Sequence, residues 1–340
     1  MMKQQVMIEP GKIVFQDIPV PELEPGKLLL KMEKIGVCGS DIHVWHGKHP
    51  YTSYPVTQGH EVSARVERVG EGVSGFAPGD LVTVMPQVVC GHCYPCTHGM
   101  YNDCNELKVM GFQTTGMASE YFVVDANWTL KLPEDMDPSE ATLLEPLSCG
   151  VHAVNRFGDP VEKKFVVMGG GTIGHLVGQT LIAMGAEKVL LSEVSECRLG
   201  KARQAGLQTV NPLEKPLAEA IFETFGPDSA DGIFECIGNG KTLNEAVTIA
   251  RKGSAVIVMG VVADPYPIDM GLVQDHELSL IGTAMYRKED WLKAIELVSA
   301  GKIRLDHLIT HHVAFDDYEE AYHLIDREKD KAMKVIIDIS

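Results

Sequence analysis

The chain has 340 residues, which is more than a single hydrophobic core usually serves, so its length favours two domains. Its composition, with 45% hydrophobic and 23% charged residues, is typical of an ordinary globular protein. The formal net charge of -17 disfavours nucleic acid and anionic membrane surfaces as partners, because an acidic surface repels both.

The N-terminal residues lack the apolar core of a signal peptide, which predicts a cytoplasmic protein. Residues 165–186 carry no Asp, Glu, Lys or Arg, but they include six glycines. A buried strand followed by a buried helix explains this stretch better than a membrane span does. Four of the eight cysteines lie within fifteen residues, and metal binding is a better interpretation of them than a disulfide framework, which would need a secreted context.

The distribution of apolar runs along the chain predicts a β-rich region followed by an α/β region. Up to about residue 147, short apolar runs separated by proline and glycine predict strands at 27–32, 62–69 and 80–85. Beyond that point, strand-like runs alternate with helical stretches and predict a parallel sheet from residues 165–168, 188–191, 232–236, 255–259 and 278–281. Helices at 288–300 and 318–326 and a last strand at 335–339 complete the prediction.

A glycine-rich turn follows the predicted strand at 165–168. The segment Gly169-Gly170-Gly171-Thr172-Ile173-Gly174 matches the pattern G-x-G-x-x-G of dinucleotide-binding folds. In that pattern the first glycine permits a tight turn, the second lets the backbone approach a pyrophosphate, and the third lets the helix pack closely on the strand. The helix predicted at 173–184 would then direct its N-terminus at the phosphates. Alone, such a motif can also be a simple turn.

The acid expected at the end of the next strand supports the dinucleotide interpretation. Glu193 lies nineteen residues after Gly174, where a carboxylate can accept hydrogen bonds from the hydroxyls of the adenosine ribose. The same carboxylate repels a 2′-phosphate, so the sequence favours NAD over NADP. Arg198 could attract such a phosphate, but we assign it an adenine-stacking or structural role.

Four closely spaced cysteines form the strongest motif in the chain, Cys90-x2-Cys93-x2-Cys96-x7-Cys104. Four thiolates in one short loop give a closed tetrahedral zinc site, which is typical of a structural metal. A redox pair of the CxxC type is the competing interpretation, and the third and fourth cysteines disfavour it. Because four sulfurs suffice, His92 and His98 are expected to face solvent.

A second set of potential zinc ligands is spread more widely and comprises Cys38, His60, Glu61 and Glu145. One thiolate, one imidazole and one or two carboxylates can bind zinc and leave a position open for substrate. From spacing alone, the alternative is a buried cysteine, a core histidine and two surface glutamates. A thiolate and one carboxylate already balance Zn²⁺, so we hypothesise that Cys38 and His60 are permanent ligands and that Glu61 and Glu145 exchange.

Taken together, these motifs resemble the zinc-containing medium-chain dehydrogenase/reductase family over essentially the whole chain. The motifs that carry the resemblance are Cys38-Gly-Ser-Asp-x-His43, Gly59-His60-Glu61, Pro78-Gly79-Asp80, the four-cysteine loop, Glu145-Pro146 and the glycine-rich turn. Glu145 stands where liver-type alcohol dehydrogenases have cysteine, so the chain is most similar to the sorbitol (polyol), sugar-acid and threonine dehydrogenases. The resemblance implies an α/β fold, with a Rossmann doubly wound parallel sheet domain at 148–283 inserted into a GroES-like β-rich catalytic domain at 1–147 and 284–340.

The resemblance also implies an activity: zinc-dependent hydride transfer between NAD and a secondary hydroxyl of a polyol, sugar acid or related substrate. It implies two zinc ions per chain, one catalytic and one structural, and a homodimer or homotetramer. Ser40 and His43 would pass the hydroxyl proton to solvent, and Asp41 would support His60 from behind. Candidate substrate contacts are Trp45, His46, His49, Tyr51, Tyr286 and Arg287, each of which is as readily an ordinary surface or interface residue.

Three alternatives accompany this interpretation. An L-threonine 3-dehydrogenase-like enzyme would share the whole zinc machinery, and a substrate screen would distinguish it. A zinc-free quinone reductase of the same fold would lack the four-cysteine loop and the pair Cys38 and His60, so the sequence opposes it. A non-enzymatic NAD-binding sensor or structural protein would be expected to lack the open-site ligands, all of which are present.

Overall fold

The computed structural model describes residues 1–262 and 265–339, and the chain divides into two compact units. Unit 1 comprises Met1–Glu145 and Ile309–Ser340, and unit 2 comprises Pro146–Leu308. Residues 284–308, which the sequence analysis groups with the catalytic domain, lie within unit 2. The predicted boundaries of the catalytic domain (1–147 and 284–340) and of the cofactor domain (148–283) remain predictions.

Unit 1 consists mainly of strands, whereas strands and helices alternate along the chain in unit 2. The strands are β1 (Met2–Glu9), β2 (Lys12–Ile18), β3 (Lys27–Gly36), β4 (Glu61–Val69), β5 (Leu81–Val84), β6 (Gln87–Val88), β7 (Lys108–Val109), β8 (Tyr121–Asp125), β9 (Thr129–Lys131), β10 (Lys164–Met168), β11 (Lys188–Ser192), β12 (Gln208–Val210), β13 (Gly232–Glu235), β14 (Ala255–Val258), β15 (Ser279–Gly282), β16 (Ile309–Ala314) and β17 (Lys334–Asp338). The helices are α1 (Gly39–Trp45), α2 (Tyr94–Thr97), α3 (Pro138–Thr142), α4 (Leu144–Phe157), α5 (Thr172–Ala183), α6 (Glu196–Gln204), α7 (Leu217–Phe225), α8 (Gly240–Ile249), α9 (Met270–Asp275), α10 (Lys288–Ser299) and α11 (Tyr318–Glu328).

Unit 1 is built around a seven-stranded sheet with the order β16-β17-β3-β4-β5-β9, in which β8 also pairs with β3. In the central strand β3 the apolar residues are buried, as expected for a strand covered on its core face. Strands β3 and β4 are antiparallel neighbours, and Gly36 at the end of β3 pairs with Glu61 at the start of β4. This register brings the segment after β3 and the segment before β4 to the same edge, so that Cys38 and His60 become neighbours.

Unit 2 contains a six-stranded parallel sheet with the order β12-β11-β10-β13-β14-β15, which is the order of a doubly wound dinucleotide-binding fold. Alternate residues of β10 enter different cores: Phe165 and Val167 pack with α5, whereas Val166 and Met168 pack on the opposite face. Because helices cover both faces, consecutive residues in the middle of the inner strands are apolar. The predicted parallel sheet is therefore confirmed.

The charge-free stretch at 165–186 forms β10 and the twelve-residue helix α5, most of whose side chains are buried in unit 2. Among the described residues, no helix has the length and apolarity that crossing a bilayer requires.

Candidate active site

The four-cysteine loop brings all its sulfur atoms together. The Sγ atoms of Cys90, Cys93, Cys96 and Cys104 lie within 4.8 Å of one another, with Cys90–Cys96 at 4.0 Å and Cys93–Cys104 at 3.9 Å. Tetrahedral zinc with Zn–S bonds of about 2.3 Å would place its sulfurs about 3.8 Å apart. The cysteines are not disulfide-bonded, and a hydrogen bond from the Asn105 backbone lowers the pKa of Cys93 to about 6, which favours the thiolate that zinc binds. The loop therefore fits a zinc ion.

His92 and His98, the two histidines of this loop, are exposed, as expected for residues that four sulfurs make unnecessary as ligands. His98 Nδ1 lies 2.8 Å from the Tyr94 carbonyl oxygen, which makes its contact local.

A second cluster forms at the sheet edge where β3 and β4 meet. One ligand atom from each of Cys38, His60 and Glu61 lies within 4.8 Å of the other two. Cys38 is half-buried, whereas His60 and Glu61 are buried. Glu61 Oε1 is a buried carboxylate oxygen with no hydrogen-bond partner among the described residues. A sulfur, an imidazole nitrogen and an unsatisfied carboxylate oxygen match the donors that zinc accepts, so this set also fits zinc.

Asp41 lies behind the imidazole of this cluster. Its Oδ1 atom is 3.6 Å from His60 Nδ1, and its Oδ2 atom accepts a 2.9 Å hydrogen bond from the backbone N–H of Cys38. Burial works to lower the pKa of His60, but the Asp41 and Cys38 groups raise it to about 10. Asp41 therefore contacts both chain segments that would supply ligands, and it occupies the position from which a carboxylate orients a metal-bound imidazole.

Glu61 also forms an ion pair with a lysine that was not predicted from the sequence. Lys334, at the start of β17, donates from Nζ to Glu61 Oε2 and, at 3.2 Å, to the carbonyl oxygen of Val37. Both side chains of the ion pair are buried, and burial works to lower the pKa of Lys334 while Glu61 and Cys38 raise it, so Lys334 is charged. Gly36 leaves room for this arrangement, because a Cβ there would lie 2.4 Å from Glu61 Oε2.

Glu145 stands outside the set of ligand atoms that lie within 4.8 Å of one another. It is buried near the start of α4, and its charge contributes to the raised pKa of both His60 and Lys334. The structure thus places a second carboxylate within electrostatic reach of the cluster.

Ser40 and His43 lie on α1, immediately after Cys38. They are three residues apart on one helix, which places them on the same face, and Ser40 is half-buried whereas His43 is exposed. The pair therefore runs from the side of the cluster towards solvent.

The aromatic residues that the sequence analysis considered for substrate contact divide into core and accessible positions. Trp45 is buried and stacks on Tyr322 with a ring separation of 4.9 Å, and Tyr286 is buried against Trp291 in unit 2. His49 is half-buried and stacks at 4.7 Å on Phe112, whose ring lies 4.8 Å from that of His60. His49 is thus one ring removed from the cluster.

The remaining candidates lie at the surface or at a helix end. His46 is exposed and pairs with Asp326 at 3.0 Å. Tyr51 is exposed and lines a groove of ≈ 690 Å³ that Phe112 also lines. Arg287 precedes α10, where its backbone N–H donates to Asp290 at 2.8 Å.

The glycine-rich turn of unit 2 has the geometry that its sequence predicts. Gly169 adopts φ +101°, a conformation that favours glycine, and a Cβ on Gly174 would lie 1.8 Å from the Gly169 carbonyl oxygen. Gly171 is the residue that precedes α5. Among the residues that the structure describes, no side chain caps this helix, and none lies within 4 Å of a Cβ built on Gly171. Thr172 and Ile173, half-buried, open the helix. The first backbone N–H groups of α5 could therefore receive a pyrophosphate.

Glu193 follows β11 and binds the same turn. Its Oε2 accepts a hydrogen bond from the Gly170 N–H at 2.8 Å, and its Oε1 accepts from Val194 and Ser195 at 2.7 and 2.9 Å. Arg198 lies 3.7 Å from the same carboxylate. Glu193 thus stabilises the glycine-rich turn, a role that was not predicted from the sequence. It also lies where the sequence predicts a ribose-binding acid.

Comparison with known proteins supports the same conclusion. The family model described as alcohol dehydrogenase GroES-like domain matches residues 24–134, and the model described as zinc-binding dehydrogenase matches residues 172–300. A 2-dehydro-3-deoxy-L-galactonate 5-dehydrogenase of Pseudoalteromonas atlantica is 34% identical over 93% of this chain and 92% of its own. An L-threonine 3-dehydrogenase of Pyrococcus furiosus is 33% identical over 91% of this chain and 90% of its own.

Solved structures agree with these relatives. A zinc-binding dehydrogenase of Sinorhizobium meliloti bound to NADP has a TM-score of 0.91 and 29% identity, and each chain covers 99% of the other. An Escherichia coli alcohol dehydrogenase complexed with NADH has a TM-score of 0.92 and 30% identity, again with 99% of each chain covered. The chain therefore belongs to the zinc-containing medium-chain dehydrogenase/reductase family and is a zinc-dependent dehydrogenase of the alcohol type that uses a nicotinamide cofactor.

Proposed function

We propose that this dehydrogenase transfers hydride between NAD and a secondary hydroxyl of a polyol, sugar acid or related polyhydroxylated substrate. The observation that carries the proposal is the cluster of Cys38, His60 and Glu61, which offers zinc three donors of different chemistry. The half-buried Ser40 follows Cys38 by two residues. The sugar-acid dehydrogenase among the relatives supports the substrate class.

Cys38 and His60 would be the permanent zinc ligands, and Glu61 and Glu145 would exchange in the remaining positions. Two observations support the exchange. Within the part of the chain that the structure describes, one oxygen of Glu61 has no hydrogen-bond partner while Lys334 holds the other. Glu145 is buried near enough to affect the pKa of His60. The four cysteines at 90, 93, 96 and 104 would hold the structural zinc.

Zinc, when bound, supplies Lewis acidity that makes a substrate hydroxyl easier to deprotonate, and NAD accepts the hydride. The chain has to remove the proton. Ser40 would accept it from the substrate hydroxyl and pass it to His43, whose exposed position on the next turn of α1 allows release to solvent. In unit 2, the N-terminus of α5 would bind the pyrophosphate, and Glu193 would favour NAD by opposing a 2′-phosphate.

An edge strand of unit 2 supports a homodimer or homotetramer. Strand β15 lies at the end of the six-stranded sheet, where β14 is its one partner strand among residues 1–262 and 265–339, and its Leu280 is 38% exposed. Exposed sheet edges with apolar side chains are common interfaces between copies of a chain. Replacing Leu280 by lysine should shift the sedimentation profile towards monomer, whereas an unchanged profile would oppose an interface at β15.

A substrate panel tests the proposed function directly. Purified protein should contain two zinc ions per chain and should reduce NAD faster than NADP with polyols or sugar acids. Turnover confined to L-threonine would favour the threonine dehydrogenase alternative, for which the Pyrococcus relative is the supporting observation. Cofactor binding without turnover on any substrate would indicate a sensor.

The relay is tested by Ser40→Ala, with Ser74→Ala, an exposed serine in the same unit, as control. Loss of a positioned proton acceptor should lower kcat on the order of 10²-fold and leave the NAD Kd unchanged. Ser74→Ala should match the wild type in both. A similar loss of turnover and of NAD affinity in Ser40→Ala would contradict the relay.

A further inference from the structure

Gln58 lies two residues before His60 and is completely buried. Its side-chain amide has two partners of opposite character. Gln58 Nε2 donates a 3.0 Å hydrogen bond to Asp41 Oδ1, and Gln58 Oε1 accepts a hydrogen bond from the hydroxyl of Tyr322. Its backbone N–H donates to Gln5 Oε1 at 3.2 Å, which fixes the main chain at the same point. A buried amide with these contacts has one defined orientation.

Tyr322 is on α11, 264 residues from Gln58 in the chain. Its ring is fully buried and stacks on Trp45 at an interplanar angle of 10°. Burial raises the pKa of Tyr322 well above its usual value, so its hydroxyl remains a donor. Since the Asp41 carboxylate can only accept, the chain of hydrogen bonds has a single direction, from Tyr322 through Gln58 to Asp41.

We propose that Tyr322 and Gln58 are positioning residues for the catalytic metal site, because their hydrogen bonds hold the Asp41 carboxylate in place behind the His60 imidazole. The inference rests on the proposed function only in taking Cys38 and His60 as zinc ligands. It adds a contribution from the C-terminal helix α11 to that site.

Removing Tyr322 or Gln58 would weaken the hydrogen bonding that holds the Asp41 carboxylate. Asp41 Oδ1 is the oxygen nearest to His60 Nδ1, and Gln58 is the side chain that donates to it. Without the Tyr322 hydroxyl, the buried Gln58 carbonyl oxygen loses its partner, and the amide can rotate to seek another. Asp41 Oδ1 would then be held less firmly beside the ring that it orients, although Oδ2 keeps its hydrogen bond from the Cys38 backbone N–H. Such outer interactions typically change metal affinity by about 10–100-fold.

The test uses the full-length protein and the variants Tyr322→Phe and Gln58→Met, which keep the shape of the buried side chains. Zinc affinity is measured by chelator competition, and the coordination geometry by the absorption spectrum of the Co²⁺-substituted protein. The four-cysteine loop is an internal reference, since its affinity should not change. Tyr286→Phe is the control, since it removes the hydroxyl of another fully buried tyrosine, one that packs against Trp291 in unit 2.

We expect Gln58→Met and Tyr322→Phe to weaken zinc binding at the Cys38 site by about 10-fold or more and to alter its Co²⁺ spectrum. Tyr286→Phe should leave both unchanged. In a Gln58→Met background, Tyr322→Phe should have no further effect, because Tyr322 acts through Gln58. Wild-type affinity in both single variants, or additive losses in the double variant, would overturn the inference. Wild-type protein that binds zinc at the four-cysteine loop alone would instead contradict the proposed function.

Discussion

Replacing Lys334 by methionine removes the cation from the catalytic cluster with little change in side-chain volume. In the wild type, the Lys334 ammonium and the Glu61 carboxylate have side-chain exposures of 3% and 0%. After the substitution, Glu61 would be a buried carboxylate whose Oε1 already has no partner among the described residues and whose Oε2 has lost its ammonium. The variant therefore isolates the contribution of this ion pair.

The expected cost follows from burial. Removing one partner of a buried pair leaves an uncompensated charge and destabilises proteins by about 3–5 kcal/mol, whereas an exposed pair contributes about 0–1 kcal/mol. We expect a loss of about 3–5 kcal/mol in the free energy of unfolding of unit 1 when zinc is absent. With zinc bound, the loss should be smaller, because the metal ion also neutralises Glu61.

The assay is urea unfolding of zinc-depleted and zinc-loaded protein in a Trp291→Phe background, so that the tryptophan fluorescence comes from Trp45 and Trp128 in unit 1. Lys34→Met is the control, because Lys34 of β3 pairs with Asp338 of β17 at 3.1 Å in the same sheet but is 20% exposed. Its cost should not exceed about 1 kcal/mol. Exchanging both partners, as Glu61→Gln with Lys334→Met, should recover most of the lost stability.

Two results would refute the reasoning. If Lys334→Met were no more destabilising than Lys34→Met, the buried ion pair would not contribute as its burial implies. If zinc loading failed to reduce the cost of Lys334→Met, the Glu61 carboxylate would not be part of the metal site.

Three further predictions concern the other parts of the molecule. Burial, reinforced by His307, lowers the pKa of His175 to about 4, so that the unfolded state binds a proton before the folded state does as the pH falls. The free energy of unfolding should therefore decrease by up to about 3 kcal/mol between pH 6.5 and about 4. In urea titrations at several pH values, His175→Gln should reduce this pH dependence. Gly174→Ala should destabilise the protein by about 1–3 kcal/mol because its Cβ would meet the backbone. Gly171→Ala should unfold like the wild type but bind NAD at least about 10-fold more weakly, as measured by calorimetry. Cys104→Ser should lose one of two zinc ions by elemental analysis and lower the Tm, while zinc at the Cys38 site is retained.

What the sequence could predict depended on how far apart the interacting residues lie in the chain. The four cysteines of the loop are close in sequence, so their spacing alone indicated a shared metal ion. The glycine-rich turn is equally local, and its strand and helix follow directly from the apolar pattern. Cys38 and His60 needed the family resemblance, because the β3–β4 register that joins them is not visible in either motif.

The contributions of Lys334 and Tyr322 could not be derived from local patterns. Each contacts the site across more than 260 residues, with separations of 273 and 264. A lysine at the start of an otherwise apolar last strand was the available signal for Lys334. Trp45 illustrates the opposite difficulty, since an aromatic residue beside a ligand motif can serve a pocket or a core, and here packing against Tyr322 places it in the core.

The position of β17 and α11 in the chain has a consequence for biosynthesis. Cys38, His60 and Glu61 leave the ribosome long before their supporting residues, because the lysine that neutralises Glu61 follows it by 273 residues and the tyrosine that orders Gln58 follows it by 264. Until both have been synthesised, the nascent N-terminal segment carries a buried carboxylate without its cation. This centre therefore cannot be completed while the N-terminal segment is being made, and chains terminated before β17 should be unable to mature into metalloenzyme.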